Sequence, residues 1–148
     1  MTMNLDTRSA WGTTLLRIAV GLVFIAHGAQ KLFVMTPAGL SGFFGQLGLP
    51  VPLASAWLVI AVELVGGVAM VAGLGTRIVA ALFAATMAVA IATVHGPQGF
   101  FLPNGYEYVL VLFAASISLI VQGGGAFAID NILWERKGGF AELSAARA

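Results

Sequence analysis

Six side chains able to hydrogen-bond or exchange protons stand where apolar sequence gives way to loops. His27, Gln30 and Lys31 close "VGLVFIAHGAQKLF", His95 closes "MAVAIATVH", and Asn104 and Glu107 fall in "PNGYEY". His27 and Lys31 are one helical turn apart and share a face. Imidazole and ammonium groups donate to a ligand carbonyl, and a carboxylate beside them passes protons. Two further groups, Arg17 and Glu63, lie deeper within apolar runs. A metal ion is not expected, because no two ligands have tight spacing on one helix and Lys31 repels a cation. Haem is not expected either. Two histidines on different segments permit it, but the small residues around them equally serve helix packing.

The elements that carry these groups follow from composition. Of 148 residues, 59% are hydrophobic and 9% charged, with a mean hydropathy of +0.98. Soluble domains carry about 25% charged residues, so this composition belongs to an integral membrane protein. A net charge of +1 without a basic, aromatic-interleaved cluster gives no sign of nucleic acid, which is not expected as a partner. The chain has no cysteine, which removes disulfide relays and cysteine-ligated clusters. The polar start with Asp6 and Arg8 differs from a cleaved signal, so the first apolar segment is expected to be retained.

Four apolar stretches are predicted to span as helices, at about 11–33, 53–74, 78–95 and 106–122. The link "GTR" forces the second and third into an antiparallel hairpin. The stretch "VMTPAGLSGFFGQLGLPVP" predicts a short interfacial helix containing Phe43, Phe44 and Leu47, ended by Gly48 and Pro50. The tail at 134–148 is expected to be loosely ordered. Tyr106, Tyr108 and Trp134 are read as interfacial anchors. The expected fold is an all-α, four-helix membrane bundle forming one domain over 1–148. Arg8, Arg77, Arg136, Lys137 and Arg147 share one side of it and predict cytoplasmic termini.

In that arrangement His27, Gln30, Lys31, His95, Asn104 and Glu107 come to similar depth and are expected to line one outward-opening polar pocket. Arg17 and Glu63 lie deeper. They are expected to form a buried ion pair that sets helix register, with Glu63 or Glu107 alternatively relaying protons.

These residues resemble the DoxX family of small four-span membrane proteins, from about Leu16 to Leu133. The resemblance is carried by "LLRIAVGLVFIAHGAQKLF", by "GLP" before the second span, by "ELVGGVAMVAGLGTR", by "NGYEY" and by "GGGAFAID" with Asp130. It implies a multi-pass protein of a bacterial-type cytoplasmic membrane, linked to membrane-associated oxidoreductase systems. A quinone has an apolar ring and two carbonyl oxygens, and it is the expected ligand of a pocket with His27 and Lys31 as donors. Electrons would come from a redox partner protein, and a homo-oligomer is also compatible. The alternative expectation is a non-catalytic assembly subunit or small-solute transporter.

Overall fold

The computed structural model describes residues 5–133, and the tail at 134–148 lies outside the described residues. Among these, all regular structure is helical. Helix α1 runs Leu5–Ala29 and continues as a π-helical turn, Gln30–Met35. Thr36 stops it at a φ of 61°. Its hydroxyl then accepts from the Gly39 N–H at 3.2 Å, and Pro37 opens α2, Pro37–Gln46. This is the expected interfacial helix. Leu40 and Phe44 bury its apolar side against Ala56 and Ile60 of α3.

Helix α3, Pro52–Ala72, also opens on proline and ends at Gly73, whose φ of 73° suits glycine. Gly73, Leu74 and Gly75 are the whole connection to α4, Thr76–Ala90, so α3 and α4 form the expected hairpin. A second π-helical turn, Ile91–His95, extends α4, and α5 is Glu107–Gln122. The continuous helices Asp6–Met35, Pro52–Ala72 and Thr76–Gln98 are long and apolar enough to cross a membrane, and α5 is a shorter apolar helix. The protein is a helical membrane bundle.

Helices α1 and α3 cross at glycines. A Cβ on Gly21 would meet Val71, one on Gly67 would meet Ile25, and one on Gly28 would meet Leu64. The two helices are antiparallel with a fixed register, backbone against backbone. At the centre the buried rings of Phe24 and Phe83 stack, centroids 3.6 Å apart and planes 9° from parallel. Val20, Met70, Ala80, Leu112 and Leu119 surround them.

The start of α1 and the segment after α5 meet at one end of the bundle, where the Ala126 N–H donates to the Ala10 carbonyl. Arg8 and Arg77 sit at that end, while α2 lies at the other with Lys31. A reporter fused at the C-terminus is therefore expected to be cytoplasmic, and a tag inserted between Ser41 and Gly48 external. Labelling with an impermeant reagent checks this, and the opposite pattern would overturn the orientation.

Candidate functional site

Lys31 sits in the π-helical turn that follows α1, and Glu63 sits mid-way along α3. The Lys31 ammonium donates to both Glu63 carboxylate oxygens, at 2.9 and 2.8 Å. The Glu63 side chain is 2% exposed and that of Lys31 20%. A carboxylate at this depth is tolerated only when paired and hydrogen-bonded. The pairing follows from the direction of side chains on antiparallel helices, which lean toward their own N-termini. Lys31 leans inward along α1, Glu63 leans toward the α2 end, and the two meet.

That geometry corrects one expectation. Glu63 is not paired with Arg17. The α1–α3 register sets Gly28 beside Glu63, and Arg17 lies eleven residues away, roughly 16 Å along the helix. Arg17 also leans the other way. Its guanidinium Nη1 donates to the Met70 and Val71 carbonyls at 2.7 and 2.6 Å. These are among the last carbonyls of α3, where a cation satisfies unpaired acceptors and complements the helix dipole.

Near Arg17, Asp130 closes the same end of the bundle. Its carboxylate accepts from the Gly75 N–H at 2.7 Å and the Thr76 N–H at 2.9 Å, capping α4 from a distant part of the chain. The Asp130 N–H donates in turn to the Gly73 carbonyl. Partial burial opposes ionisation of Asp130. The two backbone donors and the Arg17 charge outweigh it and hold the carboxyl below its ordinary range. The stabilisation is therefore complete above about pH 4 and is lost as pH falls through and below that value. Thermal unfolding in detergent is expected to show a steeper acid-side loss for the wild type than for Asp130→Asn. Parallel profiles would show that the cap contributes nothing through its charge.

The remaining candidates do not share one cavity. His27 is half-buried on α1, its ring 6.2 Å from that of Tyr108 on α5. Gln30 is exposed. The Glu107 carboxylate accepts from the Leu102 N–H at 2.8 Å and ties its own loop to the start of α5. His95 bonds through Nδ1 to the Asn104 backbone carbonyl at 2.9 Å, so Asn104 contributes its main chain to this contact. A cavity of about 440 Å³ adjoins His95 and Asn104, and its lining contains none of His27, Gln30, Lys31 and Glu107. The expected single set is thus divided into the Lys31–Glu63 pair with His27 nearby, and a separate place at His95. Among the described residues no cluster of three or more His, Asp or Glu could hold a metal ion.

Comparison with known proteins places this arrangement. The DoxX family profile matches residues 12–96, more than half of the chain. The chain belongs to the DoxX family. A Bacillus subtilis protein named "Putative oxidoreductase CatD" is 40% identical over 126 residues, covering 85% of this chain and 90% of that one. An "Uncharacterized protein" of Haemophilus influenzae is 31% identical over 137 residues, covering 90% of this chain and 98% of that one. No solved structure matches.

The DoxX match includes Arg17, His27, Lys31, Glu63 and His95 and stops before Glu107 and Asp130. Asp130 had no signal of its own in the sequence beyond the glycine-rich stretch before it. What makes it structural is the return of residues 123–130 onto the start of α4. In this DoxX chain Tyr108 likewise does more than mark an interface, since it stands beside His27.

Proposed function

We propose that this chain is the membrane subunit of a quinone-linked oxidoreductase system in a bacterial-type cytoplasmic membrane. The observation that carries the proposal is the Lys31–Glu63 pair, a two-bond ion pair held at depth within a turn of His27. Burying two charges in this way costs free energy that a purely apolar contact would not. Such groups in a membrane are typically retained for chemistry. The family and the name of the Bacillus subtilis relative support a redox setting.

The residues suit a quinone headgroup arriving from the lipid. His27 and Lys31 donate hydrogen bonds to a carbonyl oxygen, and both are partly accessible. Glu63 accepts and returns protons through Lys31 as that oxygen gains or loses negative charge. Full reduction of a quinone to a hydroquinone takes two electrons and two protons. The side chains here move the protons, and a redox partner protein supplies the electrons.

Protein purified from native membranes is expected to carry quinone, detected by chromatography of its lipid extract, and His27→Ala is expected to retain less than a tenth as much while keeping its fold. Extracts free of quinone, with no binding on adding it back, would sink the proposal. Co-purification of a stoichiometric partner without any quinone would favour an assembly role instead.

A further inference from the structure

The separate place at His95 has the makings of a second ligand site. The π-helical turn Ile91–His95 sets the imidazole at the α2 end of α4, and π-helical turns occur frequently at functional sites. Its Nδ1 faces the Asn104 carbonyl, an oxygen that can only accept. Nδ1 therefore carries the proton, and in the neutral ring Nε2 is left as a bare acceptor. Beside the imidazole lies the 440 Å³ cavity, within the range that holds small organic ligands. Phe43 of α2 and Leu47 just after it contribute to the lining, as do Val94 and Pro97.

The character of the lining restricts what can bind. No Lys, Arg, Asp or Glu contributes to it, so neither an anion nor a cation finds a counter-charge, and Gln98 and Asn104 add only neutral polar groups. Thr93 has already donated its hydroxyl to the Val89 carbonyl at 2.8 Å. A ligand matched to these surroundings is neutral. It presents a flat apolar face to Phe43 and a hydrogen-bond donor to the imidazole.

We propose that this cavity binds a small neutral aromatic alcohol of the phenol class, its hydroxyl donating to His95 Nε2 and its ring lying against Phe43. The site is distinct from the Lys31–Glu63 pair and does not depend on the quinone reading.

Two substitutions separate this role from simple anchoring of the loop. His95→Asn keeps a donor at the position of Nδ1, and so keeps the bond to the Asn104 carbonyl, but removes Nε2. His95→Gln keeps a polar atom at the Nε2 position and gives up the loop bond. The full chain in detergent, labelled with ¹⁵N-histidine, is titrated with phenol and with its methyl ether anisole, which cannot donate. The expected result is a saturable shift of His95 Nε2 with phenol, no saturable shift of His27, and at least tenfold weaker binding of anisole. Phenol affinity, followed by ligand-observed NMR, falls at least tenfold in His95→Asn at unchanged thermal stability and less in His95→Gln. Equal, non-saturating responses to phenol and anisole would show partition into the micelle only and overturn the proposal. Undiminished phenol binding by a folded His95→Asn protein would overturn it as well.

Discussion

Lys31→Met destabilises the folded protein by about 3–5 kcal/mol, the range for breaking one side of a buried ion pair. The substitution preserves the length and apolar stem of lysine and deletes its charge. The partner left behind, Glu63, is 2% exposed and loses its paired cation. Glu63→Gln costs less, about 1–3 kcal/mol. Lys31 is 20% exposed, and its ammonium can snorkel toward the interface at the α2 end. Lys31→Met combined with Glu63→Gln removes both charges and recovers part of the larger loss. A double-mutant cycle measured by thermal or denaturant unfolding in detergent gives the coupling directly. Simple addition of the two losses would show that the 2.8 and 2.9 Å bonds contribute no net stability. An equal cycle with Arg17→Leu in place of Lys31→Met is expected to show no coupling to Glu63, because Arg17 bonds to the end of α3 instead.

A single methyl group is expected to act with opposite signs at two glycines. At Gly67 a Cβ would lie 2.6 Å from Ile25 Cγ1 and 3.0 Å from both the Gly21 carbonyl oxygen and the Ile25 nitrogen. The side chain of Ile25 can rotate, but the backbone atoms cannot withdraw unless α1 moves bodily from α3. Gly67→Ala therefore costs about 1–3 kcal/mol by overpacking, and Gly67→Leu is expected to prevent accumulation of folded protein. At Gly12, in the exposed first part of α1, an added Cβ meets nothing within 4 Å. There Gly12→Ala is expected to stabilise by about 0.5–1 kcal/mol through helix propensity alone. Melting temperatures of the two alanine variants should move apart from the wild type in opposite directions. A stabilised Gly67→Ala protein would mean that the helices are not in contact at this crossing.

The spans, the α3–α4 hairpin and α2 were legible in the sequence because each depends on local signals. Hydrophobic length sets a span, Pro37 and Pro52 open helices, and Gly48 and Gly73 close turns. Pairing across the bundle was less legible. Three ionisable residues at depth, Arg17, Lys31 and Glu63, offer two possible pairs, and choosing between them requires the register of α1 on α3. That register is written in Gly21, Gly28 and Gly67, but reading it needs the facing residues as well as the glycines. The direction in which side chains lean decides the rest. The cavity at His95 does not gather the other expected pocket residues, for a related reason. Similar depth brings residues to one layer, and it does not bring them to one side of the bundle. His95 turns toward the loop and α2, while Lys31 turns toward α3. Asp130 was the least legible, since capping of α4 by a residue 54 positions away has no local pattern.

The stacked Phe24 and Phe83 divide the bundle electrically. On α1, Phe24 stands seven residues from Lys31 and seven from Arg17, roughly 10 Å each way. The apolar side chains around it, Val20, Met70 and Leu112 among them, cannot relay a proton, and the buried Ser116 hydroxyl is already donated to the Leu112 carbonyl. The molecule therefore has two polar terminals with an insulator between them. Under the quinone-linked function proposed above, a proton that Glu63 releases through Lys31 goes to the aqueous phase at the α2 end. On that proposal, a cycle of reduction and reoxidation at that terminal would take protons from one compartment and return them to the same compartment. Proteoliposomes turning over in this way acidify or alkalinise one face transiently without building a membrane potential by proton transfer through the bundle.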